Sequence, residues 1–184
     1  DGLTRPALDR LPSDSRAPWE RLRARNIPLL RKLTAVYGSC AVLARDGEAI
    51  VGQLRFYPKA ICPFAEYGPA MCMQQLHPHG PTDDFAETDF PPLDQIEDRT
   101  LFVHCLMTAS PDQGDNPYRR RGIGSRMVRA LIEWAKAEGW EAVEATAYAD
   151  LPSIYTVTGQ AGRAFWEKLG FRVVRTVPEP AFQG

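Results

Sequence analysis

Cysteine is scarce, with four in 184 residues. Cys40, Cys62, Cys72 and Cys105 are too few to staple a chain of this length into a disulfide framework, and Cys40 and Cys105 sit inside apolar runs. Reduced thiols in a cytoplasmic compartment are therefore expected. No run approaches the roughly 20 apolar residues of a membrane span, and no basic-then-apolar leader opens the chain, so no membrane partner is expected. Strong charge of either sign is missing as well. A formal net charge of -1 exerts no overall pull on nucleic acid, so any anion site must be local. No internal repeat is visible. What is present, 44% hydrophobic and 24% charged residues, suits one globular domain with a buried core.

Along the chain, residues 1–17 lack a sustained apolar period and read as an arm or linker, leaving 18–184 as the domain. A helix is predicted from about Pro18, carrying Trp19 and Leu22. After Pro28 a second is predicted over Ile27–Val36, with Leu29, Leu30, Leu33 and Val36 inward and Gly38 at its end. Two strand-like runs, Cys40–Arg45 and Glu48–Tyr57, flank Asp46-Gly47, which predicts a hairpin on a type I′ turn. Residues 60–98 hold six prolines and eight acids without one Lys or Arg, and form a functional insert or lid. Leu101–Met107 is nearly continuous in apolar residues, as a central strand buried on both faces would be. From Gly122 to Glu138, Ile123, Met127, Ala130, Leu131, Trp134 and Ala135 recur at helical spacing, with Gly139 as cap. A strand over Glu141–Tyr148, parallel to the central one, completes a βαβ unit. A short helix over Ala161–Leu169 and a last strand at Phe171–Arg175 follow. The fold class is α/β: a mixed central sheet with N-terminal helices, a β-hairpin and that βαβ unit.

The chemistry concentrates at Arg119-Arg120-Arg121-Gly122-Ile123-Gly124-Ser125. Glycines let a ligand approach the backbone, the first helical turn leaves N–H groups without intrahelical acceptors, and the helix dipole adds partial positive charge. A pyrophosphate suits such a site, and three arginines reinforce it. A P-loop would require Gly-Lys followed by Ser or Thr, which is absent. A dinucleotide fingerprint could use Glu144 for a ribose, but its third glycine position is Met127. The loop Ala109–Tyr118 is also too long for its tight turn.

Tyr118-Arg119-Arg120-Arg121-Gly122-Ile123-Gly124 resembles the Gln/Arg-x-x-Gly-x-Gly/Ala signature of GNAT acyltransferases. Ala164-Phe165-Trp166-Glu167-Lys168-Leu169-Gly170-Phe171 is similar to that family's second motif. The resemblance implies a GNAT-like sheet splayed between the Leu101–Met107 and Glu141–Tyr148 strands, with acetyl-CoA or another acyl-CoA as co-substrate and no metal. Arg119, Arg120, Arg121, Gly122, Ile123, Gly124 and Ser125 would take the pyrophosphate, and Leu106, Met107 and Thr108 the pantetheine. Gly162 and Trp166 would flank it from the short helix. The implied reaction is direct attack of an amine on the thioester. Two departures stand out: Trp166 occupies the position where many relatives have a Tyr that reprotonates the thiolate, and a closing strand after Phe171–Arg175 is missing. Tyr155 is the candidate replacement acid.

Glu144, on the strand bordering that cleft, is the leading candidate base, against a plain reading as a salt-bridged strand residue. His104 has the better intrinsic pKa for the task, against a reading as a satisfied core histidine. Glu66 is a third option. Glu66, Asp83, Asp84, Glu87, Asp89, Asp94, Glu97 and Asp98 would make a negative field that favours a cationic amine, although acid runs are usually solvated loops. Cys62, Cys72, His77 and His79 match no common zinc spacing. The predicted function is N-acyl transfer to a small-molecule or peptide amine, without nucleic acid, and with a homodimer left open. An acyl-CoA-binding protein without turnover and a dinucleotide-dependent enzyme are the alternatives.

Overall fold

The computed structural model describes residues 27, 28, 30–61, 92–108, 117, 118, 120–150 and 161–176. The chain divides between Thr146 and Ala147 into two compact units, each treated by itself below. The predicted helix from Pro18 to residue 26, the heart of the acidic insert (62–91), Arg119 and Tyr155 lie outside the described residues.

In the first unit, helix α1 runs over 30–37, and residues 27 and 28 are helical too. Strands β1 (Ala41–Asp46), β2 (Ala49–Pro58), β3 (Thr100–Thr108) and β4 (Ala142–Ala145) form one four-stranded sheet in the order β1-β2-β3-β4. The first two pairings are antiparallel and the last is parallel, so the sheet is mixed as expected. The hairpin is present, but its turn lies one residue later than predicted. Asp46 pairs with Ala49, leaving Gly47-Glu48 as the loop. Only Gly47 has positive φ (56°), which matches a II′ arrangement rather than I′.

Helix α2 (Ile123–Ala137) crosses one face of this sheet, with Ile123, Met127, Val128, Leu131 and Ala135 buried. From Gly52 onward, even-numbered residues of β2 point towards it: the Phe56 ring lies 5.0 Å from that of Trp134. A Cβ on Gly52 would meet Met127 Cε at 3.1 Å and Ile123 Cγ2 at 3.2 Å. The missing side chain is what lets the first turns of α2 lie close on β2. At the far end Trp140 N–H donates to Ala135 C=O (2.9 Å) and Gly139 N–H to Lys136 C=O (3.3 Å), a Schellman closure. Arg99 adds a bond to Glu138 C=O (2.7 Å), and its guanidinium lies 4.3 Å from the centre of the Trp140 ring. A cation there opposes the negative end of the dipole.

Strand β3 corrects one expectation: its face opposite α2 is only partly covered, with Cys105 buried but Phe102 half-buried and Met107 exposed. It also carries a bulge. Arg55 pairs with Cys105 and Phe56 with Val103, so His104 is an extra residue. Beyond it the alternation changes phase: Leu106 and Thr108 pair with Leu54 and Gly52 on the α2 face, and Met107 with Gln53 on the other.

β4 is shorter than predicted. It pairs with β3 only from Thr100↔Ala142 to Val103↔Ala145, and Tyr148 makes an isolated bridge to Gly162 instead. In the second unit the short helix α3 spans Arg163–Glu167. Residues 171–176, where a last strand is predicted, pair with no strand among the described residues.

Candidate active site

The turn ahead of α2 is built from two left-handed residues. Gly122, the N-cap, has φ 72° and ψ 13°, and no side chain caps the helix. Arg120 has φ 58°. A non-glycine residue in this region costs on the order of 1–2 kcal/mol, and such strain is commonly found where backbone must be aimed at a ligand. Arg126 N–H donates to Gly122 C=O at 3.0 Å and opens the helical ladder. The N–H groups of Ile123, Gly124 and Ser125 precede it and have no intrahelical acceptor, which suits them to anionic oxygens. Arg120 and Arg121 are exposed, and Gly124 and Ser125 half-buried. Tyr118 O–H, 3.2 Å from Asp46 Oδ2, ties the start of the turn to the hairpin. That bond raises the phenol's pKa, so Tyr118 keeps its proton.

On the opposite face of the sheet, Tyr57 pairs with Phe102 and Phe102 with Glu144, one row across three strands. Lys59 Nζ reaches back to Glu144 Oε1 at 2.9 Å. Both side chains are more than a third exposed (40% and 35%), so the pair is worth about 0–1 kcal/mol. One residue beyond Glu144 the ladder ends at Val103↔Ala145. β4 pairs with no β3 residue beyond Val103. Leu106, Met107 and Thr108 lie on β3 past that last pair.

His104 follows the last residue of β3 that pairs with β4, and its ring lies 5.5 Å from that of Tyr57. Burial, and then the nearby Arg55 charge, push its pKa down to about 4, so the imidazole is neutral at physiological pH. An unfolded histidine titrates near 6.5. Between about pH 6.5 and 4 the unfolded chain therefore binds a proton that the folded chain refuses, and stability falls as pH drops through that window. His104→Gln should flatten this part of the melting-temperature profile and leave it nearly unchanged above pH 7. An equally steep profile in the variant would remove His104 as its source.

Gly162 and Trp166 belong to the second unit. Gly162 bridges Tyr148, and Asp150 Oδ1 and Oδ2 accept from Ala164 N–H at 3.1 and 3.0 Å. A Cβ on Gly162 would run into the Asp150 carboxylate, so the bare glycine makes room for that cap. Sequence reasoning missed Asp150, because its distance from α3 matches no local capping spacing. Trp166 is buried, with its ring 5.2 Å from Phe165 and 5.0 Å from Phe171. Its Nε1–H has no hydrogen-bond partner among the described residues. Arg119, Tyr155 and Glu66 are outside the described residues, as are Cys62, Cys72, His77 and His79.

A mixed sheet whose βαβ helix opens on an anion-suited turn is an α/β arrangement. In sequence, residues 114–171 match the Acetyltransferase (GNAT) family, a stretch that includes both resembling motifs. No curated protein matches the chain significantly. Among solved structures, a GNAT family acetyltransferase from Streptococcus pneumoniae TIGR4 is similar at 18% identity over 73% of this chain, with a TM-score of 0.35. The match spans 61% of that protein's length. A putative acetyl transferase from Pyrococcus furiosus matches at 14% identity over 92% of this chain and 80% of its own, TM-score 0.42. The aminoglycoside antibiotic 6'-N-acetyltransferase AAC(6')-IG from Acinetobacter haemolyticus matches at 16% identity over 91% and 92%, TM-score 0.42. At these scores the likeness fixes neither activity nor substrate.

Proposed function

We propose that the protein is an acyl-CoA-dependent N-acyltransferase that moves acetyl from acetyl-CoA to a primary amine. The observation that carries this reading is the turn 120–125, a strained, glycine-opened helix start with added arginines, inside the GNAT segment. The pyrophosphate would lie on the N–H groups of Ile123, Gly124 and Ser125, with Arg120 and Arg121 beside it. Leu106, Met107 and Thr108, on β3 past its last pair with β4, would take pantetheine by backbone hydrogen bonds. Acetyl-CoA supplies the thioester. The amine nitrogen attacks its carbonyl carbon, a C–N bond forms, the C–S bond breaks, and the thiolate leaves and takes up a proton. Backbone N–H groups polarise the carbonyl. An alkylamine with pKa about 10.4 must first lose a proton, at a cost of about 4.6 kcal/mol at pH 7. Glu144, one pair before the splay, is the carboxylate placed to receive the ammonium and pass that proton on.

A second reading, an acyl-CoA-binding protein without turnover, is favoured by Trp166, since an indole N–H cannot reprotonate a thiolate. Release of free CoA from acetyl-CoA, followed with a thiol reagent across polyamines, amino acids, aminoglycosides and peptides, separates the two. Amine-dependent release is expected. Tight acetyl-CoA binding without release on any amine would establish the second reading, and absence of binding would remove both.

A further inference from the structure

Lys59 puts a primary alkylammonium on Glu144, one pair before the β3–β4 ladder ends. We propose that Glu144 is the ammonium-receiving group of the acceptor site and that Lys59 is its resident competitor, a specificity-determining residue that an incoming alkylammonium must displace. This rests on the acyltransferase reading and deepens it by naming Lys59 as the residue that decides which amines reach Glu144.

Four observations lead there. First, Lys59 Nζ lies 2.9 Å from Glu144 Oε1, the distance a substrate ammonium would take. Second, Lys59 comes from the 3-10 turn Lys59–Ile61 after β2 and crosses over β3 to reach β4. The pair therefore does not arise from neighbouring positions on one element. Third, both partners are about a third or more exposed, so solvent and a second cation can reach them. A pair sealed in the core would lock Glu144, whereas a half-exposed one exchanges readily. Fourth, the floor under the pair is aromatic: Tyr57 and Phe102 share Glu144's row and His104 packs on Tyr57. Such a floor holds the alkyl stem of an amine and favours a cation above it.

Arg55 and Lys59 both bring positive charge to this face, and Glu144 is its answering carboxylate among the described strand residues. While Lys59 holds it, the site discriminates against weakly bound monoamines. Once Lys59 is removed, Glu144 should accept any primary alkylammonium more readily.

The test follows the Glu144 side-chain carboxyl signal of glutamate-labelled full-length protein by NMR, assigned by its loss in Glu144→Gln, during titration with n-butylammonium chloride at about 20 mM ionic strength, where screening is weak. Lys59→Met should lower the apparent Kd at Glu144 by about three- to fivefold, the range expected for removing a half-exposed competitor. Lys59→Arg should behave as wild type, and about 1 M salt should erase the difference. Lys59→Gln provides a second variant if the methionine protein does not fold. An unchanged or weaker Kd, or a Glu144 signal that never responds, overturns the proposal. The readout needs no turnover: the gain in affinity without CoA release on any amine would sink acyl transfer alone, and CoA release without the gain would sink the role of Lys59 alone.

Discussion

Gly124→Glu should abolish CoA binding, lowering affinity at least about a hundredfold, while leaving the fold as stable as wild type. The two effects separate because the same charge acts oppositely on them. A carboxylate in the first turn of α2 is favourable to the helix, where the dipole is positive, by a few tenths of a kcal/mol up to about 1 kcal/mol. For a pyrophosphate the same carboxylate is a like charge standing among the N–H groups it would use, and each charge-assisted bond lost there costs about 1.5–3 kcal/mol. Isothermal titration with CoA, beside a melting curve, checks both halves. Affinity within about twofold of wild type would remove the turn as the cofactor site, and a collapsed melting temperature would turn the binding loss into a folding defect.

Gly52→Val should cost about 1–3 kcal/mol of stability, the usual range for overpacking a tight interface. A Cβ alone would sit 3.1 Å from Met127 Cε, 3.2 Å from Ile123 Cγ2 and 3.3 Å from Ala44 Cβ. Valine adds two methyls where even the first carbon is crowded. Met127 can swing away, but Ile123 is the first residue of α2 and Ala44 belongs to β1, so relief must come from lifting the helix start off the sheet. That start carries the turn proposed to take the pyrophosphate. The variant should therefore lose CoA affinity together with stability, and Met127→Ala in the same background should restore part of both. A fully stable Gly52→Val protein would mean that the helix start is not seated as described.

Much of the first unit was legible in the sequence because its signals are local. The hairpin announced itself by a glycine between two strand runs, and α2 by its apolar spacing and its closing Gly139. The helix start was readable because a left-handed N-cap calls for glycine, which leaves a compact trace in the sequence. What was misread depended on contacts between distant segments. The unbroken apolar run Leu101–Met107 looked like burial on both faces, whereas the bulge at His104 shifts the phase so that odd positions and then even positions turn towards α2. The hairpin loop moved by one residue because pairing with β2 continues through Asp46. Lys59 received no attention in the sequence, since no spacing rule joins it to Glu144, 85 positions away. The carboxylate was readable as a candidate, and its resident cation was not.

The extra residue at His104 also governs how this strand can be compared with others. Placed against an unbulged strand without a gap, the segment beyond residue 104 would be superposed with its inward and outward positions exchanged. Leu106 and Thr108 would be matched to residues of the wrong face, and Met107 to a core position. Any alignment that respects the physics must open one position at His104, and a deletion there would rotate either the half that zips to β4 or the half beyond the last β4 pair. A one-residue change in length, with no change of chemistry, would thereby be felt both at the contact with α2 and on the opposite face that carries Glu144.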